Sequence, residues 1–233
     1  MSQGDVKAVK TIPGDTDRVN AGPQSSVDIP RRSMGKRFVR ALIFLILATV
    51  TLFLLSRAGS FLVVDDPQPS DAIVVMESAG DTPGYDRAVL LKSQGYAKTI
   101  LLDAGISHDL YGRSEQELAA EYLVRTGQLS TLICPTVGGT LFDEALDVKR
   151  CLDRIGAHSA ILMTSDFETR RTLDIFQKRL PQYRWSIAAG STPYHYAEAY
   201  WQHRGWAKTV LQEWEDLLWW KVVEQRRKDV VLH

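Results

Sequence analysis

Acidic, hydroxyl and guanidinium side chains gather in four short stretches of this 233-residue chain, each directly after an apolar run of strand length. The densest is residues 164–171, Thr-Ser-Asp-Phe-Glu-Thr-Arg-Arg. Arg170 and Arg171 carry the planar fork that grips phosphate or carboxylate through paired hydrogen bonds. Glu168 could move protons, and Thr164 and Ser165 add hydroxyls. A second stretch runs from Glu77 and Ser78 to Gly84, with Arg87 just beyond. A glycine-containing loop that opens a helix is a place for an anion, although this one is neither a dinucleotide fingerprint nor a P-loop. The third begins at Asp103, a carboxylate at a strand end that could orient a hydroxyl, act as a base or hold a metal. His108 and Asp109 follow it and could join, and Glu115 opens the next helix. The fourth, 135–140, has Gly138 and Gly139, where backbone amides can approach a ligand closely. Thr140 follows, with Glu144 one turn on.

Each stretch also has a plainer reading. Ser165 with Glu168 is a capping box pattern, and Thr140 is a helix cap. Glu115 suits the positive end of a helix dipole, and a loop histidine such as His108 is more often simply exposed. No GxSxG elbow and no HExxH occur, so neither a serine hydrolase of that kind nor a zincin is indicated. No motif specifies a cofactor, and no metal site is assigned. Cys134 and Cys151 lack zinc-site spacing. They read as small core residues, the alternative being a disulfide in an oxidising compartment.

These loops need a frame, and the alternation of the pattern supplies one. Apolar runs at 72–76, 99–102, 131–134 and 160–163, with a fifth at 184–189, alternate with helical stretches. The clearest of these helices are 114–126, opened by a Ser114–Glu117 capping box, and 140–155, with Leu141, Ala145, Val148, Leu152 and Ile155 on one face. Continuously apolar strands alternating with helices imply an α/β fold. The expected architecture is a Rossmann-like, doubly wound, mainly parallel five-stranded sheet with strand one central and helices on both faces. Ligands bind such sheets beyond the C-terminal strand ends, where all four stretches lie. Two tryptophan-rich helices close the chain. In the second, Trp206, Val210, Trp214 and Leu217 have the spacing of a stripe that packs on the sheet.

The N-terminal part has a different character. Residues 1–37 read as a disordered tail ending in a basic cluster (Arg31, Arg32, Lys36, Arg37). Residues 38–64 read as a transmembrane anchor. The uninterrupted apolar run 41–55 spans only about 22 Å, but continuing to Val64 reaches the roughly 30 Å of a bilayer core, with Arg57 able to snorkel. A buried core helix or a cleaved signal peptide fits less well, since the run is apolar all round and its leader is long. Residues 65–70 form a linker and 71–233 the α/β domain. Basic residues before the helix and Asp65, Asp66 and Asp71 after it put the N-terminus in the cytoplasm and the domain outside. Lys and Arg together number 28, as do Asp and Glu, so the zero net charge gives no sign of a nucleic-acid partner.

The residues 71–75 (Asp-Ala-Ile-Val-Val), Arg87, Gly95, Asp103-Ala104-Gly105, Glu115, Thr140, Glu144 and the 164–171 segment together resemble bacterial envelope proteins typified by SanA, ElyC and YdcF. Trp201 and residues 213–220 match that family's C-terminal helix, so the resemblance covers about residues 71–220. It implies a Rossmann-like domain behind one anchor in the cytoplasmic membrane and a part in envelope and peptidoglycan biogenesis, and it supplies no mechanism. Two positions depart from the family: Met76-Glu77-Ser78 stands in place of Leu-Gly-Gly, and Glu168 in place of a histidine. Arg170 and Arg171 beside Glu168 favour binding over acid catalysis in that loop. Two functions are therefore expected. One is an envelope protein that binds, and acts on, a phosphorylated or lipid-linked precursor. Here Arg87 and Arg171 would hold phosphate and Asp103 or Glu168 would handle protons. The other is a non-catalytic assembly factor.

Overall fold

The computed structural model describes residues 34–79, 82–106, 112–137, 139–190 and 200–225. The candidate site residues His108 and Asp109 lie outside them, as does most of the first tryptophan-rich helix. Contacts divide the chain into two units, residues 1–46 and 47–233. In the first, the described residues are helical and belong to α1 (Met34–Leu62). Within α1 the stretch Lys36–Leu62 is long and apolar enough to cross a membrane.

The second unit is built on a sheet of β1 (Ala72–Val75), β2 (Thr99–Gly105), β3 (Thr131–Thr136), β4 (Ser159–Thr164) and β5 (Arg184–Ala189). All pairs are parallel, in the order β3-β2-β1-β4-β5. The fold is thus α/β and Rossmann-like, with the first strand central as the sequence pattern predicts. Because side chains alternate across a strand, β1 serves two cores. Ala72 and Val74 face α4 (Leu141–Ile155) and α5 (Thr169–Arg179). Ile73 and Val75 face α2 (Thr82–Ser93) and α3 (Glu115–Arg125). All four β1 side chains are fully buried, which is why this strand reads as an unbroken apolar run. The predicted helix ends hold. Ser114 and Glu117 form the capping box of α3. The Thr140 side chain accepts from the Asp143 amide, and Gly156 closes α4 in the left-handed conformation at φ 68°.

Three expectations are corrected. Cys134 and Cys151 are buried, but they form a disulfide between β3 and α4 across 17 residues. A loop of that length contributes about 3 kcal/mol by restricting the unfolded chain. The Ser165–Glu168 capping box does not form. Ser165 makes no side-chain cap, and Glu168 instead accepts the Thr164 hydroxyl at 3.0 Å. A turn of 3-10 helix at Asp166–Glu168 precedes α5, so the box geometry of a regular first turn is absent. Finally, the tryptophan stripe of α6 (Arg204–Trp219) does not pack on the sheet. Val210, Leu217, Trp206 and Trp214 join Leu62, Phe167 and Ile175 in a third core against α5 and the end of α1. The sheet face is already covered by α4 and α5, so α6 finds its apolar partner one layer out.

The segment after α1 is also attached rather than free. Asp66 forms an antiparallel bridge to Ile187. The Gln68 amide donates to the Ser186 hydroxyl at 3.2 Å, and the Asp65 carboxylate accepts from the Ala189 amide at 3.1 Å.

Candidate functional site

In a sheet of this order the chain winds outward from β1 in both directions, so the crevice opens between the C-terminal ends of β1 and β4. A cleft of about 330 Å³ lies there, lined by Met76, Glu77, Ser78, Leu141, Glu144, Thr164, Glu168 and Arg171. A second recess of about 290 Å³ is lined by Glu77, Asp103, Glu115, Tyr85 and Tyr122 among others. Glu77 lines both, so the two adjoin.

The positions follow from local structure. Glu77 and Ser78 sit on a 3-10 turn, Glu77–Ala79, that leaves the end of β1. The Ser78 and Thr164 hydroxyls are 2.8 Å apart, tying the ends of β1 and β4 together, and Thr164 donates onward to Glu168. Glu115, in the first turn of α3, accepts the Gly105 amide at 3.0 Å and so braces the end of β2. Glu144 comes from the first turn of α4, the helix that the disulfide fastens to β3.

Asp103 is the most unusual group. It lies within β2, in register with Cys134, and is 4% exposed. Neither carboxylate oxygen makes a hydrogen bond of regular geometry to the described residues; Glu144, Thr136 and the Glu77 backbone are its polar neighbours. Burial pushes the Asp103 carboxyl above its ordinary range. Burial also raises Glu144, strengthened by the facing Asp103 carboxyl and by the charges of Glu77 and Glu168. Burial thus raises both members, so the pair resists ionising together. Glu144 is half-buried and opens to the cleft. It faces the cleft, while the more deeply buried Asp103 lines the adjoining recess.

The three arginines of the predicted clamp have protein partners. Arg87 makes an ion pair with Asp65 at 2.8 Å and donates to the Ala189 carbonyl. Arg170 donates to the Phe61 carbonyl and lies over the Phe61 ring, 4.1 Å from its centre. Arg171 holds Glu213 through two hydrogen bonds of 3.0 and 3.1 Å. Only Arg171 also lines the cleft. Thr140 is exposed and its hydroxyl donates to Asp143, while Ser165 reaches the site only through its amide, 3.4 Å from the Ser78 hydroxyl. The structure thus gathers Glu77, Ser78, Glu144, Thr164, Glu168 and Arg171 in one cleft, and Asp103 and Glu115 in the adjoining recess. It leaves Arg87, Arg170 and Thr140 outside both linings.

Several participants escape sequence reasoning. Tyr85 and Tyr122 meet edge to face at 5.7 Å in the recess, and Tyr85 is bonded to the Thr131 hydroxyl. Nothing in their separation of 37 positions signals this. Asp147, buried at 4% exposure, fixes the loop after β3 by accepting the Val137 amide at 2.7 Å. Glu213 did leave a signal. It falls on the apolar stripe 210-214-217 of α6, where an acid requires a buried cation. Among the described residues, no group of three or more His, Cys, Asp or Glu side chains is arranged to hold a metal ion.

Fold and site together define a Rossmann-like α/β domain with an acidic cleft at its switch point, following a helix able to span a membrane. The chain matches no protein-family model, no curated protein and no solved structure.

Proposed function

We propose that this protein is a single-pass enzyme of the bacterial cytoplasmic membrane that acts by proton transfer on a lipid-linked cell-envelope precursor. Its N-terminus lies in the cytoplasm and its α/β domain outside. The observation that carries the reading is the Asp103–Glu144 pair: a buried aspartate facing a half-buried glutamate that lines the switch-point cleft. A carboxyl raised in this way keeps its proton at neutral pH and can donate it as a general acid. Glu144 is the group that meets substrate, and Asp103 raises and orients it from behind. Carboxylates Glu77 and Glu168 flank the pair, so the reacting group is a neutral hydroxyl or an amine, as in a sugar, and a phosphate lies toward Arg171. The extracytoplasmic placement is supported by the basic residues preceding the apolar run that begins at Ala41 and by the disulfide, which persists in oxidising compartments.

The test uses the full chain in lipid nanodiscs. Melting is followed with polyprenyl-phosphate-linked sugars, free sugars and plain nucleotides. A ligand at a hundredfold excess over its dissociation constant stabilises the native state by about 2.7 kcal/mol. The reading expects a shift with lipid-linked sugars that Glu144→Gln keeps, and product formation that Glu144→Gln and Asp103→Asn abolish. No shift with any of these ligands would favour the second reading, a non-catalytic envelope assembly factor. One observation speaks for that alternative: Arg87, Arg170 and Arg171 are all engaged by protein groups.

A further inference from the structure

The last turns of α1 are not a bare tether. The Tyr200 hydroxyl donates to the Leu55 carbonyl at 2.6 Å, and the Trp214 indole to the Ala58 carbonyl at 3.2 Å. Phe61 stacks on Trp214 with ring centres 5.2 Å apart. Thr169 donates to the Leu62 carbonyl at 3.1 Å and accepts the Val64 amide at 2.7 Å. Gly59 makes this possible, since a Cβ there would come within 2.7 Å of the Tyr200 ring.

The sequence of α1 sets the depth of these residues. Between Arg40 and Arg57 lie sixteen uncharged residues, about 24 Å of helix. A hydrocarbon core of about 30 Å centred on that window, near Thr49, ends about ten residues later, at roughly residue 58. Leu55 to Gly59 therefore mark the outer boundary, and Tyr200 is fastened to both. Its neighbour Trp201 meets it edge-on at 5.3 Å yet is 51% exposed. Arg57, at the end of the apolar window, and Arg204, three positions after Trp201, are both exposed. A half-exposed indole held at the end of a hydrophobic span, with exposed arginines on the same elements, has the chemistry of an interfacial anchor, its ring at headgroup level and the cations toward phosphate.

We infer that Tyr200–Gln202 and the first turn of α6 dock in the outer polar interface of the same bilayer that α1 crosses, with Trp201 inserted. The domain is then held on the membrane at fixed height instead of swinging from it. Leu62, the last residue of α1, lies about 6 Å beyond the boundary by helix rise, and it and Val64 are both bonded to Thr169. That puts Glu168 beside it, on the rim of the cleft, at the level of lipid headgroups. The docking stands independently of the chemistry proposed for the cleft.

The experiment uses the full chain in nanodiscs of phosphatidylcholine and phosphatidylglycerol. Both native cysteines are bonded to each other, so Trp201→Cys takes a single environment-sensitive fluorophore. Leu129→Cys is the reference, since Leu129 is 74% exposed just before β3, at the sheet edge opposite β5. The label at 201 is expected to emit at shorter wavelength, to be quenched by lipids carrying a nitroxide near the glycerol, and to be shielded from aqueous iodide. The label at 129 should respond to iodide alone. In unlabelled protein, Trp201→Phe should lower the fraction of tryptophan emission that nitroxide lipids quench. A label at 201 as open to iodide as the one at 129, or an unchanged lipid-quenched fraction in Trp201→Phe, overturns the inference.

Discussion

At the C-terminal strand ends the cleft is walled by Glu77, Glu144 and Glu168, with Arg171 the one lining cation among the described residues, and Asp103 is buried in the adjoining recess. Along the seam between α5, α6 and the end of α1 several cations meet protein partners. Arg170 caps and covers Phe61, Arg171 clasps Glu213, and Lys178 and Lys221 both reach Asp174. The seam pairs opposite charges and is packed, whereas the cleft gathers carboxyls, whose proximity and burial raise Glu144. Seams of the first kind add stability or specify geometry. Clusters of the second kind cost stability and are where chemistry is found.

The contrast is broken most severely at Arg171, which belongs to both regions. Arg171→Ala strands Glu213, which is 5% exposed, and is expected to cost about 3–5 kcal/mol in denaturant melts. Arg171→Met combined with Glu213→Leu should recover most of that loss if the pair is structural. A double variant as unstable as the single one would instead point to strain in the packing. Next in size is the bridge that fastens the Glu144 helix to the sheet. Replacing Cys134 and Cys151 by serine should lower stability by about 3 kcal/mol, read as a fall in melting temperature that excess reductant reproduces in the wild type.

The cleft should respond to pH in a direction the seam does not. A carboxyl whose folded affinity for protons is raised binds more protons in the native state than in the unfolded chain. Its contribution is complete below the ordinary value of 4.5 and is lost as pH rises toward about 10, the value to which Glu144 is pushed. Wild-type stability should therefore decline by roughly 1–3 kcal/mol between about pH 5 and 9 through this pair. Glu144→Gln, neutral at every pH, should flatten the decline and be the more stable protein on the alkaline side. A decline just as steep in Glu144→Gln would place its cause elsewhere. The smallest effect is expected at the edge of the seam: Arg170→Ala removes a cation–π contact worth about 0.5–1 kcal/mol and should leave the pH profile unchanged.

Much of the frame was legible because its signals are local. The unbroken apolar run 72–75 can only be a strand covered on both faces. The Ser114–Glu117 box and Gly156 mark helix ends by chemistry that acts within one turn. The site was legible only as a set of strand ends, which is where Asp103, Glu144 and Glu168 lie. Roles within it were not. Arg87 and Arg171 look alike as phosphate ligands until Asp65 and Glu213, 22 and 42 positions away, are seen against them. The capping box at Ser165 failed for a related reason: Thr164 offered Glu168 a hydroxyl once β4 had brought it to the cleft.

By itself, then, the sequence determined the elements, the long apolar helix and the parallel α/β class, because periodicity and capping are written within a few residues of where they act. Tertiary structure alone decided that Cys134 bonds to Cys151, that α6 lies against α5 and the end of α1 instead of the sheet, and that a buried Asp103 faces Glu144. Each of these depends on which surfaces remain uncovered once the sheet has formed, and on how much water the assembled cleft excludes.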